Sequence, residues 1–311
     1  MSMFSRPKVG LALGGGAARG LSHIGVLEAF EECDLPIDVI AGTSMGAIIG
    51  AMYAAEPNAA VVKRRFTAYL QSEAFKESRF DYLIENNHEK EGFFDWLSQF
   101  ARKSVFYTLL MSRNSFIHHE TSRQNFALLI DDIDLLETRL PFCTTALDLV
   151  RGEEFIFKEG SLRQAVAASC AIPGLLPPVE MDGRFLVDGG WINALPVTAA
   201  RHLGAEVAIG VDVYSDLDPF VQPDTGLDVA ARAEAVTRWA LTNHLCKGAD
   251  CLLTPEAGSN HWADFSQFDE AVASGRNKVY EHLHTLRQLT RRQLRFRRAA
   301  APHADAHRQP A

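Results

Sequence analysis

Cysteine, long apolar runs and excess positive charge are all scarce in this chain, and each scarcity removes a class of protein. The five cysteines, Cys33, Cys143, Cys170, Cys246 and Cys251, are odd in number and include no C-x-x-C pair. That argues against a disulfide framework or a zinc site and for a reducing, cytoplasmic setting. Lys and Arg number 31 against 39 Asp and Glu, a net charge of −8, which is the wrong sign for gripping a nucleic-acid backbone, so no nucleic-acid partner is expected. The uncharged stretch from Val39 to Ala55 is shorter than the roughly 20 residues a membrane span needs. It is also broken by Gly42, Thr43, Ser44, Gly46 and Gly50. Met1 to Lys8 contains no apolar core with a cleavage site, so no secretory signal is expected there. No internal repeat is visible.

What is present suits an ordinary globular fold. Of 311 residues 47% are hydrophobic and 23% charged, enough to bury a sizeable core. Val9–Leu13 reads as a strand running into a glycine cluster, and Ile24, Leu27 and Phe30 keep helical spacing across a helix from Leu21 to Cys33. Ile37–Ala41 is a second short strand, followed by a packed helix over Ala47–Ala55 that stops before Pro57. Leu140–Leu147 and Val207–Val213 are further strands, the latter apolar throughout like a buried parallel strand. Asp182-Gly183 between Val179–Met181 and Arg184–Val187 signals a hairpin. Pro196 opens a helix that Gly204 closes. Strands alternating with helices predict an α/β fold: a three-layer α/β/α sandwich on a mainly parallel central sheet.

Three glycine-bearing motifs carry chemistry. Gly42-Thr43-Ser44-Met45-Gly46 matches G-x-S-x-G between a predicted strand and a predicted helix, the setting of a nucleophile elbow. Its glycines permit a turn too sharp for side chains, and the helix N-terminus lies under Ser44. Gly14-Gly15-Gly16-Ala17-Ala18-Arg19-Gly20 also joins a strand to a helix. A dinucleotide fingerprint counted from Gly14 meets Arg19 where its last glycine belongs, and a phosphate loop lacks its lysine, because Leu21 and Ser22 follow Gly20. What remains is a run of unhindered backbone N–H groups beside a cation, suited to a developing oxyanion. Leu186-Val187-Asp188-Gly189-Gly190 puts one acid at a strand end ahead of flexible glycines.

In this order the three motifs closely resemble those of the patatin-like phospholipase family, and Ala168 to Pro173 resembles a further block of it. The similarity spans Val9 to about Pro196 and is greatest to small bacterial members. The resemblance implies a Ser–Asp dyad that hydrolyses acyl esters of lipids without metal or cofactor. Carried over, Ser44 is the nucleophile and Asp188 the base. Gly14, Gly15 and Gly16 supply oxyanion N–H groups, with Arg19 buttressing their loop, and Gly42, Gly46, Gly189 and Gly190 shape the elbow and the acid's turn. An aspartate with the ordinary pKa near 3.9 is a weak base for a hydroxyl, so burial must raise it or the proton must move in concert with attack.

Rival readings stand beside this one. An α/β-hydrolase triad needs a late histidine, and His244, His261, His282 and His284 are late enough, though none sits in a site motif. An acyltransferase uses the same elbow, and a scaffold on the same fold needs neither Ser44 nor Asp188. His23 reads as a packed histidine, and Arg19 divides evenly between local pairing and function. Residues 79–114, rich in aromatics such as Phe93, Phe94 and Trp96, read as a helical insertion that is either core or a lid over an acyl site. One domain over residues 8–290 is expected, then a basic, disordered tail over 291–311. The arginine-rich end reads as a solvated helix end, with peripheral contact to the inner membrane face as its alternative. Lipid or acyl ester is the expected partner, and a homo-oligomer is left open.

Overall fold

The computed structural model describes residues 4–78, 115–213, 217, 220–256, 264–291 and 293–294. Its strands are β1 (Val9–Leu13), β2 (Val39–Gly42), β3 (Phe142–Asp148), β4 (Glu153–Phe157), β5 (Val179–Met181), β6 (Arg184–Asp188), β7 (Val207–Val211) and β8 (Cys251–Leu253). Its helices are α1 (Ser22–Glu32), α2 (Met45–Ala55), α3 (Ala59–Leu70), α4 (Glu73–Glu77), α5 (His119–Leu129), α6 (Leu162–Ser169), α7 (Val197–His202), α8 (Gly226–Leu245), α9 (Phe268–Glu281) and α10 (Leu283–Thr290). Phe4–Ser5 and Gln293–Leu294 pair in a separate antiparallel ribbon.

The eight strands form one sheet whose centre, in the order β3-β2-β1-β7-β8, is parallel throughout. Parallel strands covered on both faces need no polar side, and β1 and β2 are accordingly buried at every residue. Successive side chains go to opposite layers. Leu11, Leu13 and Ile40 join a core built with α1, α2, α3, α5, α6 and α9, while Ala12, Val39 and Ala41 join a smaller core against α7. This is the expected three-layer α/β/α sandwich.

The remaining strands are antiparallel and decide where the site lies. Residues 146–148 of β3 pair with both β4 and β6, so those two strands lie on opposite edges of β3. Thr144 pairs with both Gly42 of β2 and Phe157 of β4, so β2 shares the β6 edge. The strands β2 and β6 therefore run head-on along one edge of β3, ending at Gly42 opposite Thr144 and at Asp188 opposite Ala146.

The expected elements are present with shifted ends. A 3₁₀ turn over Ala17–Leu21 precedes α1, and α2 starts at Met45 rather than Ala47. Asp182 (φ 48°) and Gly183 (φ 69°) are both left-handed, as a two-residue Asp-Gly hairpin requires. Pro196 occupies the cap position of α7, and Gly204 (φ 95°) follows its end. The aromatic insertion over 79–114 lies outside the described residues, and of the tail expected disordered over 291–311 only Arg291 and Gln293–Leu294 are described, the latter two as a strand held by Phe4–Ser5.

Candidate active site

The elbow begins where β2 ends. The Thr43 N–H donates to Leu13 O at 3.0 Å, and its hydroxyl donates to Asn193 O at 3.0 Å. That leaves the Thr145 hydroxyl as the donor in the 3.0 Å bond between the two threonines. Ser44 then takes φ 53°, ψ −121°, a region that costs a non-glycine residue about 1–3 kcal/mol. The surroundings hold it there. Its N–H donates to Ser169 Oγ at 3.0 Å, and its carbonyl accepts from Ala47 N at 2.8 Å and Ile48 N at 3.1 Å. The glycines are required by close approach. A Cβ on Gly46 would lie 2.1 Å from Leu13 O, and one on Gly42 would lie 2.5 Å from Gly46 O.

Asp188, at the end of β6, faces the elbow. Its Oδ2 accepts from Ser44 Oγ at 2.7 Å and its Oδ1 from Gly190 N at 2.7 Å. Gly189 packs on the Thr145 carbonyl, close enough to exclude a side chain. Both partners are withdrawn from solvent, Ser44 at 8% and Asp188 at 2% exposure. Burial pushes the Asp188 carboxyl up to about 6, against the opposing pull of the Ser44 hydroxyl, the Gly190 amide and the Arg238 charge. The pair thus sets a hydroxyl against a buried carboxylate whose basicity is raised above that of an exposed one.

The glycine loop lies alongside. Gly14 N donates to Val211 O at 3.0 Å and Gly15 N to Ala194 O at 2.9 Å, so both amides already have backbone acceptors. Among the described residues no hydrogen bond takes up the N–H of Gly16, or that of Met45 at the start of α2. His23 is fully buried and its Nε2 lies 2.8 Å from Gly14 O; a carbonyl only accepts, so Nε2 carries the proton. Burial holds its pKa down at about 4. It is the packed histidine expected from sequence, tying down the loop.

Two cavities meet at Ser44. One, about 330 Å³, is walled by Gly15, Gly16, Arg19, Asp188, Trp191 and Arg238. The other, about 80 Å³, is apolar and runs past Met45, Ile48, Phe66, Phe126, Leu129 and Cys170. His23, His202, His244, His282 and His284 line neither cavity, and His261 lies outside the described residues. Sequence reasoning missed Ser169 as the partner of the Ser44 amide, although it noted the block containing it. It also missed Trp191, Thr145, Asn193 and Arg238, which no motif flags.

The fold and site define a class: a three-layer α/β/α protein whose strand–helix serine bonds directly to a strand-end aspartate. The family model of the patatin-like phospholipases matches residues 11–201, which include Ser44 and Asp188, and the chain belongs to that family. It is 33% identical over 251 residues to patatin-like phospholipase domain-containing protein 6 of Homo sapiens, covering 80% of this chain and 16% of that protein. It is 30% identical over 231 residues to lysophospholipase nte1 of Emericella nidulans, covering 74% of this chain and 13% of that protein. This chain therefore spans about a sixth or less of these relatives' length. The crystal structure of VipD from Legionella pneumophila aligns with a TM-score of 0.46 at 13% identity, over 90% of this chain and 67% of that one.

Proposed function

We propose that this protein hydrolyses acyl esters of lipids through an acyl-enzyme on Ser44, with Asp188 as the base. The observation that carries the reading is the direct 2.7 Å bond from the Ser44 hydroxyl to a buried carboxylate whose pKa stands at about 6. Ser44 Oγ attacks the ester carbonyl carbon and its proton passes to Asp188 Oδ2. The carbonyl π-electron pair moves onto oxygen, and the resulting oxyanion is met by the Gly16 N–H and by the Met45 N–H at the positive end of α2. Collapse breaks the ester C–O bond, and Asp188 returns the proton to the departing alcohol. Water then attacks the acyl-serine, Asp188 takes its proton, and Ser44 recovers that proton as the fatty acid leaves.

The oxyanion assignment moves off Gly14 and Gly15, whose amides serve Val211 and Ala194, and onto Gly16. Gly15 instead lets the loop pass close to Ser44, Gly14 lets it pass close to the Val211 and Ala194 carbonyls, and Arg19 stands in the cavity wall. The apolar cavity beside Ser44 takes the acyl chain. A lipid substrate is supported by family membership and by the relative named a lysophospholipase. We assign it one catalytic domain over residues 8–290 working in the cytoplasm, a setting with which its five free thiols accord, with peripheral contact to the inner membrane face as the alternative. Among the described residues no helix is long and apolar enough to cross a membrane.

Acyl release from a mixed lipid extract tests the reading. Wild type should liberate fatty acid and folded Ser44→Ala should not. Wild-type release by Ser44→Ala would overturn it.

A further inference from the structure

The smaller cavity at Ser44 is apolar along most of its wall but has one polar side. Ser122 and Asn125, both on α5 and both buried, line it together with Phe126 and Leu129. The four residues fall at i, i+3, i+4 and i+7, so they form the single stripe by which α5 enters the core. Half of that stripe is polar, where packing alone asks for apolar side chains.

Asn125 is only 7% exposed, and one end of its amide is accounted for. Its Nδ2 donates to Ser78 Oγ at 2.6 Å, and the Ser78 hydroxyl donates to the Ala74 carbonyl at 2.9 Å. A carbonyl only accepts, so the single Ser78 proton is committed to Ala74, and Ser78 can only accept from Asn125. The amide is thereby fixed with its nitrogen toward Ser78. Its oxygen, Oδ1, is buried and takes no hydrogen bond from any described residue. Anchoring Ser78 explains the nitrogen and leaves the oxygen unexplained. Buried acceptors without a donor are rare in folded proteins, so each calls for a reason.

The acyl chain assigned to this cavity can supply the missing donor. A hydroxyl on that chain would pair with Oδ1, whereas an unsubstituted chain leaves the oxygen unpaired. An ammonium group is the wrong donor, because no acid lines the cavity to offset its charge. We infer that Asn125 is a specificity-determining residue that selects esters whose acyl chain carries a hydroxyl group. The inference rests on Ser44 as nucleophile and on this cavity as the acyl pocket. Asn125 touches the chain and takes no part in proton transfer.

The test compares methyl octanoate with a series of methyl monohydroxyoctanoates in which the hydroxyl moves along the chain. The readout is the ratio of their kcat/KM values. Wild type should favour at least one hydroxy isomer over methyl octanoate by about tenfold, the usual net weight of one hydrogen bond. Asn125→Leu should invert that preference, because the hydroxyl then meets an apolar wall without a partner. The wild-type comparison can refute the inference by itself if Asn125→Leu does not fold, and Asn125→Ala then serves as the second variant and should level the ratio. A wild type that favours methyl octanoate or treats all the esters alike would overturn the inference and leave Oδ1 to a trapped water. A preference that survives both replacements would overturn it too. The octanoyl ester of ethylene glycol carries its hydroxyl on the alcohol half and should gain nothing from Asn125. A gain there that Asn125→Leu removes would place the alcohol, and not the acyl chain, in this cavity. Ser44→Ala separates the two levels: if it hydrolyses none of the esters while wild type cleaves them, the nucleophile stands whatever the ratio does. If it cleaves them at wild-type rate, the nucleophile assignment itself fails.

Discussion

The Ser44 hydroxyl donates to Asp188 at 2.7 Å across the gap where β2 and β6 run head-on along one edge of β3. The two residues are 144 positions apart in sequence, yet each strand needs only to stop on time for them to meet. No loop has to reach, so ordinary sheet hydrogen bonding preorganises the pair.

Removing the base at constant shape should remove the chemistry. Asp188→Asn is expected to lower kcat about 10²–10⁴-fold, the usual contribution of general-base assistance, with substrate binding retained. Gln replacements of His23, His202, His244, His261, His282 and His284 should not approach that loss while folded. Steady-state kinetics on a single ester decides it. One folded histidine variant as inactive as Ser44→Ala would put a triad in place of the dyad.

Asp188 and His23 should give opposite pH dependences of stability. Asp188 is raised to about 6 in the folded state, so its stabilising contribution is full below its unfolded pKa near 3.9 and is lost as pH rises through 6. His23 is lowered to about 4, so its contribution is full above 6.5 and is lost as pH falls toward 4. Each term is on the order of 3 kcal/mol, and in wild type they largely cancel between pH 4 and 6. Denaturant titrations should therefore show Asp188→Asn losing stability on acidification across this window and His23→Gln gaining it. Parallel slopes in the two variants would contradict the assignments.

Filling the apolar cavity should shorten the accepted chain. Ile48→Trp adds bulk beside Ser44, and excluding two methylenes forfeits about 1.6 kcal/mol at 0.8 kcal/mol each. Long-chain esters should then lose about tenfold in kcat/KM relative to short-chain ones. Equal losses on both would place the acyl chain elsewhere.

Gly46→Ala tests the elbow's geometry. The new methyl would meet the Leu13 carbonyl at 2.1 Å, and backbone cannot yield as a side chain end does. Overpacking of this kind costs about 3 kcal/mol or more, which calorimetry should report as a Tm lower by roughly 6–12 °C. An unchanged Tm would show that α2 does not abut β1 as described.

Much of this was legible in the sequence because it is local. The apolar runs of β1 and β2, the Asp182-Gly183 turn and the three glycine motifs each encode their own conformation within a few residues. What escaped reading depends on distant partners. The strand β4 looks too charged, with Glu153 and Glu154 beside Phe155, because it pairs along the antiparallel side and is only partly buried. The helix α8 is alanine-rich and mostly exposed, so no apolar stripe announces it or Arg238. Whether a loop amide is available to an oxyanion is equally non-local: Gly14 and Gly15 are engaged by Val211 and Ala194, nearly two hundred residues downstream.

The pH dependence of Ser44 labelling by a fluorophosphonate tests the pairing of nucleophile and base most directly. Wild type should be labelled at Ser44 with a rate that rises through a single ionisation at about pH 6, as Asp188 deprotonates. Asp188→Asn should be labelled about 10²–10⁴-fold more slowly, without that inflection. Labelling of Asp188→Asn at the wild-type rate with the same inflection, or of wild type at a residue other than Ser44, would contradict the account.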